Sequence, residues 1–121
     1  MSKRILVVED TLDNREIMRD MLDAAGYVMI EAVNGAEGVR LAQAEKPDLI
    51  LMDMQMPEID GYEATRRIKA IPELAAIPII AVTSYALAGD EAKTRAAGCD
   101  DYVAKPFSPR QLMQKIRAHL G

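Results

Sequence analysis

Five short apolar runs, spread along the whole chain, limit the folds open to this sequence more than any other feature. Each run spans three or four residues, and the runs are rich in β-branched side chains, which favours strands over buried helices. The runs occupy residues 5–8, 28–30, 49–52, 79–82 and 102–104. Their centres lie roughly 20–30 residues apart, which is the length of a strand and its crossover helix. The spacing therefore predicts a parallel sheet built from five βα units.

The segments between the runs carry the start and stop signals of helices. Gly26 and Gly98 stand where helices are expected to end, and Pro109 stands where a first helical turn tolerates proline. Four pairs of polar residues have the spacing of a capping box or a close variant of it: Asp13 with Glu16, Asn34 with Glu37, Asp60 with Glu63, and Ser108 with Gln111. Two apolar stripes predict the buried faces of the first and last helices: Ile17, Met21 and Ala25, and Leu112, Ile116 and Leu120. The segment of residues 88–97 offers mostly alanine, so we expect its helix to be the least firmly docked.

Five alternating βα units predict an α/β domain with helices on both faces of the sheet. With right-handed crossovers, two arrangements are open. One is half of a Rossmann-like sheet, and the other is a flavodoxin-like (βα)5 doubly wound parallel sheet with strand order 2-1-3-4-5. The first, third and fourth runs are continuously apolar, as central strands are, whereas the second and fifth are weaker, as edge strands are. The polar residues at the strand ends distinguish the two arrangements.

The composition is typical of one globular domain spanning residues 1–121. Half of the 121 residues are apolar and 28% are charged, and the net charge at pH 7 is −4. This acidic balance argues against a protein that holds nucleic acid or an anionic membrane through bulk charge. A single cysteine excludes an internal disulfide, and no run approaches the roughly 20 apolar residues of a membrane span. We therefore expect a small, soluble, cytoplasmic domain.

Acidic residues follow two of the predicted central strands. Glu9 and Asp10 end the first strand, and Asp53 ends the third. In the order 2-1-3-4-5 these strands are neighbours where the strand order reverses, so three carboxylates would share one crevice. Such a cluster is unfavourable unless a cation compensates it, because like charges a few ångströms apart repel. Mg²⁺, which binds one or two carboxylates and keeps several waters, suits this set of ligands.

Two further strand ends supply a hydroxyl and a positive charge. Thr83 ends the fourth strand and Lys105 ends the fifth. A metal, a carboxylate, an ammonium and a hydroxyl together form a site for a phosphoryl group, because positioning and charge neutralisation supply most of the rate in phosphoryl transfer. Asp53 stands alone at the end of the central strand and is the best candidate for a nucleophile that forms an acyl phosphate. Asp10 is the best candidate for a direct metal ligand.

These segments resemble the receiver domain of two-component response regulators, the CheY-like family. The matching segments are residues 5–10, 51–61, 81–84 and 101–106, and the resemblance runs from about residue 3 to residue 121. Each segment alone is a weak signal, but their order at successive strand ends is specific. Residues 86–101 and the loop after Asp53 look most like stand-alone regulators of the DivK type, and equally like receiver modules attached to hybrid kinases.

The resemblance implies a role for each residue of the acidic crevice. Asp53 would be the phosphoacceptor. Asp10, Asp53 and the backbone carbonyl of Gln55 would bind Mg²⁺ directly, and Glu9 would act through water. Lys105 would contact the phosphoryl oxygens.

The resemblance also implies switch and loop residues. Thr83 would close on the phosphoryl group after transfer, and Tyr102 would turn inward with that motion. Pro57 and Gly61 would shape the loop after the phosphoacceptor, and the peptide bond before Pro106 would be cis.

Two other functions share part of this pattern. An aspartyl-phosphate phosphatase of the haloacid dehalogenase type would need a second aspartate two positions after Asp53, where this chain has Gln55. A flavodoxin-like nucleotide or flavin carrier would need a phosphate-cradling first loop, where this chain has Glu9 and Asp10. We therefore predict a phosphoacceptor that assists its own phosphorylation and dephosphorylation, not a classical enzyme.

The predicted function is that of a single-domain response regulator without an output domain. A sensor histidine kinase or phosphotransfer protein would donate the phosphoryl group, and the surface of helix 4, strand 5 and helix 5 would then control a downstream protein. We expect no nucleic acid or membrane partner, and a monomer or weak dimer. The alternative is a receiver module excised from a hybrid histidine kinase. In this family, Gln55 and Tyr85 would occupy variable positions that tune the lifetime of the phosphoryl group.

Overall fold

The structure, a computed structural model, describes residues 2–84 and 88–120. In this part of the chain, strands and helices alternate throughout. The elements in chain order are β1 (Arg4–Val8), α1 (Leu12–Ala24), β2 (Val28–Ala32), α2 (Gly35–Glu45), β3 (Leu49–Asp53), α3 (Gly61–Lys69), β4 (Ile79–Thr83), α4 (Ala88–Ala96), β5 (Asp101–Ala104) and α5 (Pro109–Leu120). Each predicted strand is present and extends one or two residues further than its apolar run. Tyr85, which the resemblance placed at a variable position, lies outside the described residues.

The strands form one parallel sheet in the order β2-β1-β3-β4-β5, which confirms the flavodoxin-like arrangement. Every residue of β3 and β4 is buried, whereas β2 and β5 each contain exposed and half-buried positions. The prediction of central and edge strands is therefore confirmed. Because all strands run in one direction, their carboxyl ends meet at the same edge of the sheet, with β1 beside β3.

The core consists of one apolar layer on each face of the sheet. Successive residues of a strand point to opposite faces, so Ile50 of β3 belongs to one layer and Leu51 to the other. The first layer includes Ala64 and Ile68 of α3, and the second includes Leu112 of α5. Each fully buried aliphatic side chain contributes about 1.5–3 kcal/mol relative to an exposed one. None of the helices in the described ranges has both the length and the apolar character needed to cross a membrane.

The first helix differs from its prediction in where it begins and in which face is buried. Thr11, not Asp13, is its N-cap residue, and no side chain caps this end. Asp13 lies in the first turn, where a negative charge is favourable to the helix dipole. The buried residues are Met18 and Leu22, while Ile17 is 48% exposed. The predicted stripe was therefore wrong by about one residue: the helix buries the apolar residues that lie one position after Ile17 and Met21.

The other predicted helix ends are present. The side chains of Asn34 and Asp60 accept hydrogen bonds from the backbone N–H groups three residues later, at 2.8 and 2.9 Å. Ser108 Oγ accepts the N–H of Gln111 at 3.3 Å. Gly26 has a positive φ of 84° after α1, a backbone conformation that side chains with a Cβ rarely adopt.

Helix α4 is packed lightly, as its alanine-rich face predicted. Among the side chains described in this helix, Thr94 is the buried one, and Ala97 follows just beyond its end. On the outside of α4, the ammonium of Lys93 lies 4.3 Å from the centre of the Tyr62 ring of α3. Lys93 is exposed and Tyr62 is buried, so this cation–π contact contributes about 0.5–2 kcal/mol. Helix α4 is therefore held to its neighbours by few buried side chains.

Candidate functional site

The chemically reactive side chains predicted from the sequence gather at the carboxyl edge of the sheet. Glu9 and Asp10 directly follow β1, and Asp53 is the last residue of β3. Thr83 is the last residue of β4, and Lys105 follows β5. The parallel topology thus brings residues from four strands to one place.

Three carboxylates lie close together in this site. One oxygen from each of Glu9, Asp10 and Asp53 lies within 4.8 Å of the others. Glu9 and Asp53 are only 1% and 2% exposed, whereas Asp10 is exposed to solvent. Within residues 2–84 and 88–120, Glu9 Oε2 and Asp53 Oδ2 are buried oxygens that have no hydrogen-bond partner. Buried acceptors without donors, next to an exposed carboxylate that admits water, match the oxygen ligands that Mg²⁺ prefers.

The electrostatics of Glu9 reflect this crowding. Burial, together with the neighbouring Asp53 carboxylate, raises the pKa of Glu9 to about 7. Asn14 Nδ2 donates to Glu9 Oε1 at 2.6 Å, and Lys105 Nζ lies 3.6 Å from the same oxygen, so both partly oppose the rise in pKa. The site therefore holds more negative charge than its own residues compensate, and a divalent cation would relieve the excess.

Lys105 places a positive charge beside the candidate phosphoacceptor. Its Nζ donates to Asp53 Oδ1 at 2.9 Å, and the backbone N–H of Gln55 donates to the same oxygen at 3.1 Å. The backbone N–H of Lys105 also donates to the Thr83 carbonyl at 2.8 Å, which fixes the end of β5 against the end of β4. The peptide bond between Lys105 and Pro106 is cis, as the resemblance implied.

The loop after β3 passes very close to the strand that carries Asp53. The N–H of Gly61 donates to the carbonyl of Met54 at 3.2 Å. A Cβ on Gly61 would overlap the backbone oxygen of Asp53, so only glycine fits there. Pro57 is exposed on the same loop, and Glu58 has a positive φ of 64°, which the sequence did not indicate. The loop is thus shaped by its backbone as well as by the predicted residues.

The side chain of Gln55 makes two hydrogen bonds that the sequence did not predict. Its Nε2 donates to Thr83 Oγ1 at 2.9 Å, and its Oε1 accepts the backbone N–H of Ser84 at 2.8 Å. The family resemblance assigned the backbone carbonyl of Gln55 to the metal site and placed Gln55 at a variable position that tunes the lifetime of the phosphoryl group. It assigned no contact to the side chain. Nothing in the sequence pattern indicates that this side chain crosses from the end of β3 to the end of β4.

Helix α1 also supplies site residues that the sequence did not single out. Besides the bond from Asn14 to the Glu9 carboxylate, Arg15 donates to the Glu9 backbone carbonyl at 2.8 Å. Arg15 is held in turn by Glu31 of β2 at 2.6 Å. Asn14 and Arg15 lie in the first turn of the helix that follows Glu9 and Asp10, and this position could have indicated that they contact the site.

Tyr102, the predicted switch aromatic, lies on the edge strand β5. It is half-buried and packs against the core layer of α3. The ammonium of Lys115 on α5 lies 5.7 Å from the centre of its ring. Tyr102 thus belongs to the surface formed by β5 and α5, and is separate from the acidic cluster.

An open cleft of about 510 Å³ leads to Lys105. Its polar lining includes Asn14 and Ser84, and its apolar lining includes Ile17 and Phe107. The exposure of Ile17, which contradicted the predicted face of α1, places this side chain on the wall of the cleft.

Comparison with known proteins agrees with this geometry. The sequence matches the response regulator receiver domain over residues 5–117. The polar-differentiation response regulator DivK of Brucella anthropi is 44% identical over 121 residues, which cover all of this chain and 98% of the relative. DivK of Brucella ovis is 43% identical with the same coverage.

Solved structures of the same architecture superpose closely. The receiver domain of sensor histidine kinase PA1611 from Pseudomonas aeruginosa PAO1, which has a magnesium ion coordinated in its active site cleft, gives a TM-score of 0.92 at 39% identity. That match covers 100% of this chain and 99% of the other. The chemotaxis protein CheY4 of Vibrio cholerae gives 0.92 at 25% identity and covers 98% of both chains. Sequence and fold agree: the chain belongs to the response regulator receiver domain family.

Proposed function

We propose that this chain is a single-domain response regulator that accepts a phosphoryl group on Asp53 in a Mg²⁺-dependent reaction. The observation that supports this most is the convergence of Glu9, Asp10 and Asp53 with Lys105 and Thr83 at one edge of the sheet. A receiver domain belongs to a two-component system, which implies a histidine kinase or a phosphotransfer protein as its partner. Receiver domains are generally not classical enzymes, and we assign no turnover of an external substrate to this one.

The proposed reaction is a transfer from a phosphohistidine of the partner. A carboxylate oxygen of Asp53 attacks phosphorus, the P–N bond breaks with its electron pair going to the imidazole, and a P–O bond forms. Lys105 already lies 2.9 Å from Asp53, so its ammonium would reach the oxygens of a phosphoryl group at that position. A Mg²⁺ ion held by Asp10, Asp53 and the backbone carbonyl of Gln55, with Glu9 acting through water, would neutralise charge on those oxygens.

We propose that the cleft beside Lys105 receives the donor. Its apolar wall residues Ile17 and Phe107 provide contact area, and the cleft leads to the side chain that would meet the phosphoryl group. The exposed Leu12 extends the apolar surface of α1 near this end of the sheet. A partner seated here would bring its histidine to Asp53 without displacing the sheet.

The proposed output is a change in the surface formed by α4, β5 and α5. Phosphorylation adds close to two negative charges beside the cation site. Thr83 would close on the new oxygens and Tyr102 would turn inward, which would favour binding of a downstream protein. The light packing of α4 supports this assignment, because an element with few buried side chains costs little to move.

We further propose that residues 1–121 act as one receiver domain in the cytoplasm, as a monomer or weak dimer. The similarity to DivK over 98% of that protein's length supports a stand-alone regulator. The similarity to the receiver domain of PA1611 supports the alternative, a module of a hybrid histidine kinase. Both alternatives share the same phosphoacceptor chemistry.

The substitution Asp53→Asn tests the proposal. An amide cannot form the acyl phosphate, so uptake of hydroxylamine-sensitive phosphate from acetyl phosphate and Mg²⁺ should fall about tenfold or more. Incorporated phosphate is measured on the intact protein by mass spectrometry. The matched control is Asp23→Asn, which changes an exposed aspartate of α1 in the same way and should label like the wild type. Labelling of Asp53→Asn at the wild-type level would refute Asp53 as the phosphoacceptor.

A further inference from the structure

One side chain, that of Gln55, joins two loops of the site. Gln55 lies in the β3–α3 loop, residues 54–60, two positions after Asp53. Its amide spans the gap to the end of β4, where it contacts both the Thr83 hydroxyl at 2.9 Å and the Ser84 N–H at 2.8 Å. Thr83 is 1% exposed, so its hydroxyl is held in a largely dry environment, where hydrogen bonds are stronger than in water.

The orientation of this amide is fixed by chemistry. A backbone N–H can only donate, so Ser84 must face the Oε1 of Gln55. The Nε2 is then the atom that faces Thr83, and an amide nitrogen can only donate. Gln55 therefore binds a lone pair of the Thr83 hydroxyl while it accepts from the next residue, which fixes the positions of two successive residues at once.

We propose that Gln55 is a positioning residue that holds Thr83 and Ser84 in the resting state and opposes their closure on a phosphoryl group. This inference rests on the proposed function, since closure of Thr83 is part of it. The contact opposes displacement of the Thr83 oxygen. In closure this oxygen moves away from Gln55 Nε2 toward the phosphoryl group on Asp53, and the Ser84 N–H must find another acceptor. Phosphorylation therefore shifts the equilibrium toward closure by the difference between two free energies. One is the free energy of the contacts that the phosphoryl group gains in the closed state, and the other is that of the hydrogen bonds that the Gln55 amide loses.

A purely structural role for Gln55 predicts the opposite effect on switching. If its amide only tied the site together, its loss would disorder both loops and weaken the closed state as well. If the amide holds the resting state, its loss should free the Ser84 N–H from its hydrogen bond and lower the free energy needed for closure. The direction of the change therefore distinguishes the two roles.

The first experiment measures the contact in the unphosphorylated protein. Methionine has nearly the length of glutamine but cannot form these hydrogen bonds, so in Gln55→Met the solvent exchange of the Ser84 amide, measured by NMR, should be about tenfold faster. Gln55→Asn keeps the amide group but is one methylene shorter, so its Ser84 amide should exchange as fast as that of Gln55→Met. Gln43→Met, the same change at an exposed position of α2, should match the wild type. Unchanged Ser84 exchange in both Gln55 variants would overturn the inference.

The second experiment measures closure itself. Beryllium fluoride forms a tetrahedral phosphoryl-like group on a carboxylate, so it is titrated into each protein with saturating Mg²⁺ while the Thr83 methyl resonance is followed. In Gln55→Met the half-saturating concentration should fall about tenfold relative to the wild type and to Gln43→Met. An unchanged or higher concentration in Gln55→Met, with a normal wild-type response, would overturn the inference and leave the proposed function intact. No response in the wild type would instead refute the proposed function, and the inference with it.

Discussion

At the scale of single residues, Gly61 decides how closely the β3–α3 loop can approach the strand that carries Asp53. A Cβ at this position would overlap the Asp53 backbone oxygen and lie 2.7 Å from the Cα of Met54. Both of these atoms belong to the backbone, so no side-chain rotation can make room. The close approach also allows the hydrogen bond from the Gly61 N–H to the Met54 carbonyl.

We predict that Gly61→Ala lowers the free energy of unfolding by about 2–3 kcal/mol, because the loop must move away from β3. Urea denaturation measures this loss. Gly26→Ala is the control for backbone conformation alone: its φ is positive, but a Cβ there meets nothing within 4 Å. That variant should lose only about 1 kcal/mol. Equal losses in the two variants would contradict a steric role for Gly61.

Residues at strand ends were predictable, and side chains that cross between loops were not. The positions of Asp10, Asp53 and Thr83 follow from strand order alone, because parallel strands bring their carboxyl ends to one edge. The contacts of Gln55 and Asn14 depend on the path of a loop and on the register of α1, and neither is encoded in a periodic pattern. Strand order therefore predicted which residues meet, but not the full set of hydrogen bonds among them.

At the scale of elements, Asp101 holds the end of α5 against β5. Its Oδ1 accepts from Lys115 Nζ at 2.8 Å and from the Tyr102 N–H at 2.9 Å, and its Oδ2 lies 3.3 Å from His119 Nε2. Partial burial disfavours the ionised carboxylate, but the hydrogen bonds from Lys115, Tyr102 and His119 outweigh it and lower the pKa of Asp101. The pair of elements proposed to carry the output surface is thus joined by a charged cluster.

The lowered pKa of Asp101 predicts how stability depends on pH. A carboxyl whose folded pKa is depressed adds stability above its unfolded value, about 3.9, and that stability is lost as pH falls through the folded value. At pH 7, Asp101→Asn should therefore be less stable than the wild type by about 1 kcal/mol, and the difference should shrink below pH 4. Denaturant titrations at pH 7 and pH 3 measure both values. Asp20→Asn, the same change on an exposed part of α1, is the matched control. A deficit in Asp101→Asn that is equal at the two pH values would contradict the assignment.

The first helix shows why the buried face of an element could not be predicted from the sequence alone. Apolar residues allowed either the face with Ile17 or the face with Met18 and Leu22, and helical periodicity alone does not choose between them. The tertiary structure buries the second face, because α1 packs on the layer shared with α5. Ile17 then lines the same cleft as Phe107, where it provides apolar surface outside the core.

At the scale of the whole molecule, the acidic site lowers the stability of the fold when no cation compensates it. Glu9 and Asp53 are buried with one unpartnered oxygen each within the described ranges, and Asp10 adds a third carboxylate beside them. Repulsion between such charges amounts to a few kcal/mol at an effective dielectric constant near 20. A cation that binds only the folded state would offset this repulsion and raise the free energy of unfolding of the whole domain.

We predict that Mg²⁺ raises the free energy of unfolding of the wild type, by about 2.7 kcal/mol at a concentration 100 times its dissociation constant. Asp10→Ala should bind Mg²⁺ at least about tenfold more weakly and gain about 1.4 kcal/mol less at the same concentration. Without Mg²⁺ this variant should be no less stable than the wild type, because it removes repulsion. Thermal unfolding with and without Mg²⁺ measures these differences. Asp13→Ala, in the first turn of α1, is the control. If Mg²⁺ raised the free energy of unfolding equally in Asp10→Ala and in the wild type, Asp10 would be excluded as a ligand.

The single direction of the five strands has a practical consequence for protein engineering. The acids, Lys105 and Thr83 all occupy one rim of the sheet, so the opposite rim, where the chain enters each strand, carries none of these groups. Ala25 is exposed on that rim, beside Gly26, where an added Cβ would meet open space. A fluorescent dye attached through a cysteine at position 25 would therefore label the domain for binding measurements without covering the acidic site or the surface of α4, β5 and α5.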